Sequence, residues 1–179
     1  MDAGNIFLVG MMGAGKTTVG RALARRLHLE FVDTDTTLVE RTGVPVAVVF
    51  EIEGEAGFRR RETAILAELA HARGQVIATG GGAVLAEENR RIMRARGTVV
   101  YLRTTLEHLW ERTRRDTNRP LLANDDPRGT LAKLLQEREP LYGETAHLIV
   151  DSGEQSAAAL AGRIVAALRR QGAATGTSD

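Results

Sequence analysis

The sequence lacks the features that mark several classes of protein. It contains no cysteine, which excludes disulfide bonds and metal sites built from thiolates. It has no apolar run of about 18 residues and no signal-peptide pattern at its N-terminus. Its formal net charge is only +1, and its four histidines are scattered without metal-ligand spacing. We therefore expect a cytoplasmic protein with no membrane partner and no general affinity for nucleic acid.

Lysine is also scarce. Lys16 and Lys133 are the only lysines among 24 basic residues. Arginine forms the better fork for carboxylates and phosphates, although a genome-wide preference for arginine would produce the same excess. The apolar fraction of 43% is enough for a sizeable core, and 179 residues suit one domain or one domain with an inserted lid.

A glycine-rich stretch near the N-terminus is the strongest signal in the chain. Residues 10–18 fit the pattern G-x-x-x-x-G-K-[ST], with a β-prone apolar run before them and helical spacing after them. A strand, a glycine loop and a helix N-terminus together bind phosphate, because free N–H groups and the helix dipole point at the anion. We expect Lys16 to reach the outer phosphates of a nucleotide and Thr17 to be a magnesium ligand. A chance glycine-rich turn is disfavoured by the flanking strand and helix.

Two acids stand at the end of the second predicted strand, residues 30–33. Alternate residues of an extended segment point the same way, so Asp33 and Asp35 are expected to face the phosphate loop together. In open α/β sheets ligands bind at this edge. One acid would hold magnesium beside Thr17, and the other would face the group that receives the phosphate.

The same acids also suit a helix cap, with Thr34 or Asp35 as the N-cap of a helix over residues 36–41. We expect both roles to apply. No acid follows the next apolar run, residues 75–79, where many phosphate-loop proteins carry a magnesium-side aspartate. This absence points to Asp33 as the metal-side acid.

Strand-like and helical segments alternate along the chain, which is typical of a parallel sheet covered by helices on both faces. We predict an α/β protein with three layers, α/β/α, around a central five-stranded parallel sheet. Helices are predicted over residues 128–138, ending near Pro140, and over residues 157–168. The tail from 172 to 179 is small and polar and is expected to be disordered.

Three further segments are candidates for a second binding region. Arg59 and Glu62 are three residues apart on a predicted helix. They would form either an ion pair on the helix surface or a carboxylate-binding site in which Glu62 orients Arg59. The glycines at 80–82 follow a predicted strand and leave bare backbone for a ligand, unless they form a flexible linker. Residues 112–127 are polar, basic and long enough for a lid over a γ-phosphate, unless their arginines are merely solvated.

Six separated motifs occur in one order along the chain. They are GMMGAGKTT at 10–18, DTD at 33–35, GEAGFRRRE at 54–62, TGGG at 79–82, NRPLL at 118–122 and EREPLY at 137–142. The phosphate loop alone is generic, whereas the whole set resembles the shikimate kinase family of nucleoside-monophosphate-kinase-like P-loop proteins. The resemblance implies a single kinase domain over residues 1–171, with an acceptor-binding region at about 33–62 and the lid at about 112–127.

The resemblance also implies roles for the matching residues. The implied catalytic residues are Lys16, Asp35 and Arg119. The implied nucleotide-binding residues are Gly13, Ala14, Gly15, Lys16, Thr17, Thr18, Arg112 and Arg119. The implied acceptor-binding residues are Asp35, Arg59, Gly80, Gly81, Gly82 and Arg138. The implied magnesium ligands are Thr17 and Asp33, with Asp33 acting through water.

The implied activity is the ATP- and Mg²⁺-dependent phosphorylation of the 3-hydroxyl of shikimate, in the route to chorismate and the aromatic amino acids, by a monomer. One departure concerns adenine: some family members close its site with a proline-containing loop, but residues 151–156 contain no proline. A related kinase for gluconate or a nucleotide is the main alternative. A nucleotide-dependent switch without an acceptor is a third, although the N-K-x-D motif of guanine-specific switches is absent.

Overall fold

The computed structural model describes residues 4–117 and 119–175. Five strands form one sheet, and all neighbouring strands are parallel. The strands are β1 (Asn5–Val9), β2 (Glu30–Asp33), β3 (Gln75–Ala78), β4 (Gly97–Arg103) and β5 (Leu148–Asp151). Their spatial order is β2-β3-β1-β4-β5, so the predicted five-stranded parallel sheet is confirmed.

Seven α-helices in the described residues connect and cover the strands. They are α1 (Lys16–Leu27), α2 (Thr34–Thr42), α3 (Val46–Leu69), α4 (Glu87–Arg96), α5 (Leu106–Thr113), α6 (Pro127–Thr145) and α7 (Ala157–Thr175). One group consists of α1 and α7, which contact each other, and a second group consists of α3, α4 and α6, in which α4 contacts both others. These groups form the outer layers of the three-layer fold. In the part of the chain that the structure describes, no helix combines the length and apolarity of a membrane span.

The core of the molecule lies at the centre of the sheet. Phe7 and Leu8 of β1 and Val99 and Val100 of β4 are completely buried, as expected for parallel strands with helices on both faces. The chain leaves β1 towards β2 on one side and later crosses to β4 on the other. The strand order therefore reverses beside β1, and ligands bind at such a point, outside the carboxyl ends of the strands.

A small second core supports the region before the glycine run. Leu38 of α2 packs there with Val49, Phe58 and Ile65 of α3. Helix α3 bends at Gly54, whose φ of 71° and ψ of 179° are not helical. This glycine is therefore a bend that connects two helical halves. Both halves contribute to the second core.

Helix α6 runs past Pro140, where the sequence predicted its end. A proline inside a helix costs about 3 kcal/mol or more, because it removes a hydrogen bond and its ring meets the preceding turn. Tertiary contacts oppose this cost: Tyr142 and Thr145 beyond the proline are fully buried, and Arg94 donates to the Thr145 carbonyl at 3.0 Å. Burial on the far side of the proline therefore decides the helix length.

The C-terminal tail also differs from the prediction. Helix α7 continues to Thr175, so residues 172–175, expected to be disordered, belong to this helix. Residues 176–179 lie outside the described part of the chain.

We predict that Gly20→Ala lowers the free energy of unfolding by about 1 kcal/mol or more, despite the higher helix propensity of alanine. Gly20 is buried in α1, and an added Cβ would lie 2.6 Å from the Phe31 ring and 3.1 Å from Leu8 Cδ1. The matched control is Gly162→Ala in α7, where the nearest atoms, of Arg26, are 3.7–3.8 Å away. This control is expected to raise stability by up to about 1 kcal/mol. Urea unfolding of both variants tests the contrast, and stabilisation by both would contradict it.

Candidate active site

The phosphate loop joins the end of β1 to the start of α1. Gly15 is the N-cap of α1 and has a left-handed backbone, with φ of 91°, which glycine adopts without steric cost. Gly13 also has a positive φ, and an added Cβ would lie 2.8 Å from Thr113. The first amides of α1 therefore face a cavity at the end of the sheet, as anion binding requires.

Lys16 lies against the loop from which it starts. Its Nζ donates to the carbonyl oxygens of Gly10 at 2.6 Å and Met11 at 2.9 Å. Burial lowers the pKa of Lys16 to about 8; Arg119 also lowers it, whereas Asp35 and Asp33 raise it. The ammonium is thus held at the cavity by backbone carbonyls and is sensitive to any charge placed there.

Thr17 and Asp33 meet as the sequence predicted. Thr17 Oγ1 donates to Asp33 Oδ2 at 2.8 Å. Asp33 Oδ1 accepts the backbone N–H groups of Asp35 at 2.9 Å and Thr36 at 3.1 Å. Asp33 is therefore the N-cap of α2, a role the sequence assigned to Thr34 or Asp35.

The predicted geometry of the two acids is wrong, although both acids reach the cavity. Asp33 is extended, but helix α2 already begins at Thr34, so Asp33 and Asp35 do not alternate along a strand. Asp35 lies in the first turn of α2, where a carboxylate is favoured by the helix dipole. Burial raises the pKa of Asp35, repulsion from Asp33 adds to this, and Lys16, Arg119 and Arg59 oppose it.

Two adjoining cavities lie at this end of the sheet. The first, of about 290 Å³, is lined by the phosphate loop with Asp33, Thr79 and Arg112. The second, of about 150 Å³, is lined by Arg59, Glu62 and Arg138 together with apolar side chains. Five residues line both cavities: Met12, Asp35, Gly80, Gly81 and Arg119. The first cavity is called the donor cavity below and the second the acceptor cavity.

The acceptor cavity contains a buried ion pair and a second arginine. Arg59 Nη1 donates to Glu62 Oε1 at 3.0 Å, and Glu62 is only 3% exposed. Burial raises the pKa of Glu62, and the charge of Arg59 and its hydrogen bond oppose this shift. Arg138 is 2% exposed. The predicted ion pair is therefore present, but in a cavity wall and not on the helix surface.

The glycine run forms a tight turn that both cavities share. An added Cβ at Gly80 would lie 2.7 Å from Glu62 Oε2 and 3.4 Å from Asp35 Oδ1. At Gly81 it would lie 3.3 Å from both Arg138 Nη1 and the Met12 nitrogen. These close neighbours disfavour a side chain at Gly80 and Gly81, and the defined turn is not a flexible linker.

Two arginines of the predicted lid region reach the donor cavity. Arg112 donates to the carbonyls of Gly13 at 3.0 Å and Gly153 at 2.7 Å, and so joins the phosphate loop to the loop after β5. Arg119 pairs with Asp116 at 2.9 Å and lines both cavities. A short 3-10 turn at Pro120–Leu122 follows Arg119 directly. Asn118 of the NRPLL motif lies outside the described residues.

The structure brings together almost every site residue that the sequence singled out. Ala14 is the exception: it is fully buried, its N–H donates to the Met11 carbonyl, and it is not part of the donor cavity wall. Sequence reasoning missed several acceptor-cavity residues: Met12, Val46, Phe50, Phe58, Pro120 and Leu121. Their apolar character gave no chemical signal, and only the motifs that contain Met12, Phe58, Pro120 and Leu121 could have indicated them.

Comparison with known proteins decides between the kinase families. The sequence model of shikimate kinase matches residues 12–169. The chain belongs to the shikimate kinase family. A shikimate kinase from Nitrosospira multiformis is 60% identical over 153 residues, covering 86% of this chain and 78% of that protein. A shikimate kinase from Vibrio parahaemolyticus is 54% identical over 167 residues, covering 93% of this chain and 97% of that protein.

The structural comparison agrees. A shikimate kinase from Acinetobacter baumannii in complex with shikimate has a TM-score of 0.93 and 47% identity, and the match covers 94% of each chain. The predicted P-loop kinase fold and the predicted family are thus both confirmed.

We predict that Lys16 titrates near pH 8 in the free protein and that a nucleoside triphosphate raises this midpoint, because phosphate charges favour the ammonium form. Above about pH 8 binding then requires proton uptake, so affinity for the phosphates falls as the pH rises. The measurement is an NMR titration of the lysine ε-carbon in a Lys133→Arg variant, which leaves Lys16 as the sole lysine. A midpoint at the ordinary 10.5, or one that the nucleotide does not raise, would contradict the prediction.

Proposed function

We propose that the protein transfers the γ-phosphoryl group of ATP to the 3-hydroxyl of shikimate, giving ADP and shikimate 3-phosphate, in the route to chorismate and the aromatic amino acids. The observation that carries the proposal is the shared wall of the two cavities. Asp35 and Arg119 lie where a phosphate-binding cavity meets a cavity with two arginines. Family membership and the shikimate complex of a relative with 47% identity support this acceptor.

The donor cavity suits the phosphates of ATP. Glycines 13 and 15 with the amides of Lys16, Thr17 and Thr18 would surround them, and the Lys16 ammonium would bind the outer ones. Ala14 would stabilise the loop and not bind phosphate, because it is buried and its N–H already donates to the Met11 carbonyl. Arg112 would lie against the adenine, held there by its contact with the loop after β5.

Thr17 and Asp33 fit Mg²⁺, which prefers hard oxygen ligands and retains several waters. Both carboxylate oxygens of Asp33 already accept protein hydrogen bonds. Asp33 would therefore act through a metal-bound water, while Thr17 supplies its hydroxyl oxygen. When bound, the metal ion would neutralise part of the charge on the phosphates.

The acceptor cavity suits a small carboxylate with several hydroxyls. Arg59 and Arg138 would bind the carboxylate as bidentate forks, and Glu62 would hold the Arg59 guanidinium in place. The glycine turn would offer backbone N–H groups to the ring hydroxyls. The proposed enzyme would act as a monomer in the cytoplasm, where ATP is available.

Transfer requires the 3-hydroxyl oxygen to attack the γ-phosphorus while the bond to the β,γ-bridging oxygen breaks. Asp35 would accept a hydrogen bond from this hydroxyl and receive its proton, and its raised pKa suits that task. Lys16 and Arg119 would neutralise the charge that develops on the transferring group and the leaving ADP. The lid, residues 112–127, would exclude water, so that the hydroxyl and not water is phosphorylated.

The proposal is tested by ADP release in a coupled assay with a panel of acceptors. We expect turnover that requires both shikimate and Mg²⁺. Turnover with gluconate or a nucleoside monophosphate instead would favour the related-kinase alternative. Slow ATP hydrolysis that shikimate does not change would favour a nucleotide-dependent switch and contradict the proposal.

We predict that Arg59→Lys raises the shikimate KM about 10- to 100-fold and leaves the ATP KM nearly unchanged, because lysine cannot form the bidentate fork. The matched control is Arg61→Lys on the same helix, since Arg61 pairs with Glu53 on the surface, outside both cavities. Initial-rate kinetics with each substrate varied in turn gives both constants. An equal loss of ATP affinity would contradict the assignment of Arg59 to the acceptor.

A further inference from the structure

Tyr142, the last residue of the EREPLY motif, lies behind the wall of the acceptor cavity and contacts the glycine turn in that wall. It is fully buried in α6 and lines neither cavity. Its hydroxyl donates to the carbonyl oxygen of Gly81 at 2.5 Å and lies 3.5 Å from Met11 Sδ in the phosphate loop. Its ring stacks on Tyr101 with a centroid distance of 5.0 Å. One hydroxyl thus contacts both the donor loop and the acceptor turn.

This hydrogen bond controls which way a peptide group faces. The bond between Gly81 and Gly82 is a trans peptide, so the Gly82 N–H points opposite to the Gly81 carbonyl. The carbonyl is held towards Tyr142 in the core, and the Gly82 N–H is therefore directed to the other side, where Gly82 lines the acceptor cavity. Among the described residues, the Gly82 N–H donates to no protein acceptor. It is available to a bound oxygen.

The backbone of the glycine turn needs a hydrogen bond of this kind to hold it in one orientation. Glycine has more backbone freedom than any other residue, and three in succession allow the Gly81–Gly82 peptide to rotate. Gly80 is held by its own bond to Thr34 Oγ1 at 3.2 Å, and Thr79 is held by the Leu8 carbonyl. Tyr142 supplies the corresponding restraint one residue further along.

We propose that Tyr142 is a positioning residue for the acceptor: its hydroxyl orients the Gly81–Gly82 peptide so that the Gly82 N–H donates to shikimate. This inference rests on the proposed function. Tyr142 touches no reacting atom. Its hydroxyl acts through the backbone of the glycine turn and also interacts with Arg138 of the acceptor cavity. Loss of the hydroxyl should therefore weaken shikimate binding and leave the phosphate loop able to bind nucleotide.

Tyr101 provides a matched control within the same aromatic pair. It is buried in β4 and stacks on Tyr142, but its hydroxyl has no hydrogen-bond partner in the described part of the chain. Tyr101→Phe and Tyr142→Phe therefore remove the same atom from neighbouring stacked rings. Only the second removes a hydrogen bond to the acceptor turn.

The experiment compares the two variants with the unmodified protein by calorimetric titration with shikimate and with ADP, and by initial-rate kinetics. We expect Tyr142→Phe to raise the dissociation constant and KM for shikimate about five- to tenfold, the loss of one buried hydrogen bond. The dissociation constant for ADP should change less than twofold, and Tyr101→Phe should leave both constants unchanged. Because a dissociation constant reports only folded molecules, a lower yield does not obscure the result.

A second variant, Tyr142→Met, fills the space with a flexible apolar side chain and should share the shikimate defect if the phenylalanine variant fails to fold. Equal shikimate affinity in Tyr142→Phe and the unmodified protein would overturn the inference, as would parallel losses for shikimate and ADP, which indicate general disruption. If the unmodified protein does not bind or phosphorylate shikimate, the proposed function itself fails, and that result is seen before any variant is compared.

Discussion

The Asp33 carboxylate is the link on which the arrangement of the site depends. One of its oxygens caps α2 and the other accepts the Thr17 hydroxyl at the start of α1. The cap sets the direction of the first turn of α2, and this turn carries Asp35 into the junction of the two cavities. A single side chain thus sets where the second acid stands relative to the phosphate loop. Replacing it would disturb the start of α2 and the contact between α2 and Thr17 together.

The junction between the cavities gathers opposite charges at short range. Asp33 and Asp35 stand near Lys16 and Arg119, and the charges around them shift the pKa values of Lys16 and Asp35. Burial alone would favour a neutral lysine and a neutral acid, because removing charges from water is costly. The attraction between Lys16 and Asp35 opposes the effect of burial on the pKa of each of the two groups. The site is consequently sensitive to the phosphate charges that arrive with a nucleotide.

Local patterns predicted much of the site, whereas long-range packing escaped them. The phosphate loop was predictable because its amides, Lys16 and Thr17 lie within a few residues of one another. The pair of Arg59 and Glu62 followed from helical spacing. The alternation argument failed for Asp33 and Asp35 because a helix begins between them, and the capping argument chose the wrong residue. Local signals could not give the continuation of α6 past Pro140, since it depends on burial against distant elements.

The bend at Gly54 has a consequence for the shape of the acceptor cavity. Val46 and Phe50 precede the bend and Phe58, Arg59 and Glu62 follow it, yet all five line this cavity. The angle between the two halves of α3 therefore sets the width of the acceptor cavity, and no residue of α3 lines the donor cavity. The helix that shapes the acceptor cavity is thus separate from the loop that binds phosphate. Changes near this bend can alter the size of molecule admitted, while the machinery that handles phosphate remains unchanged.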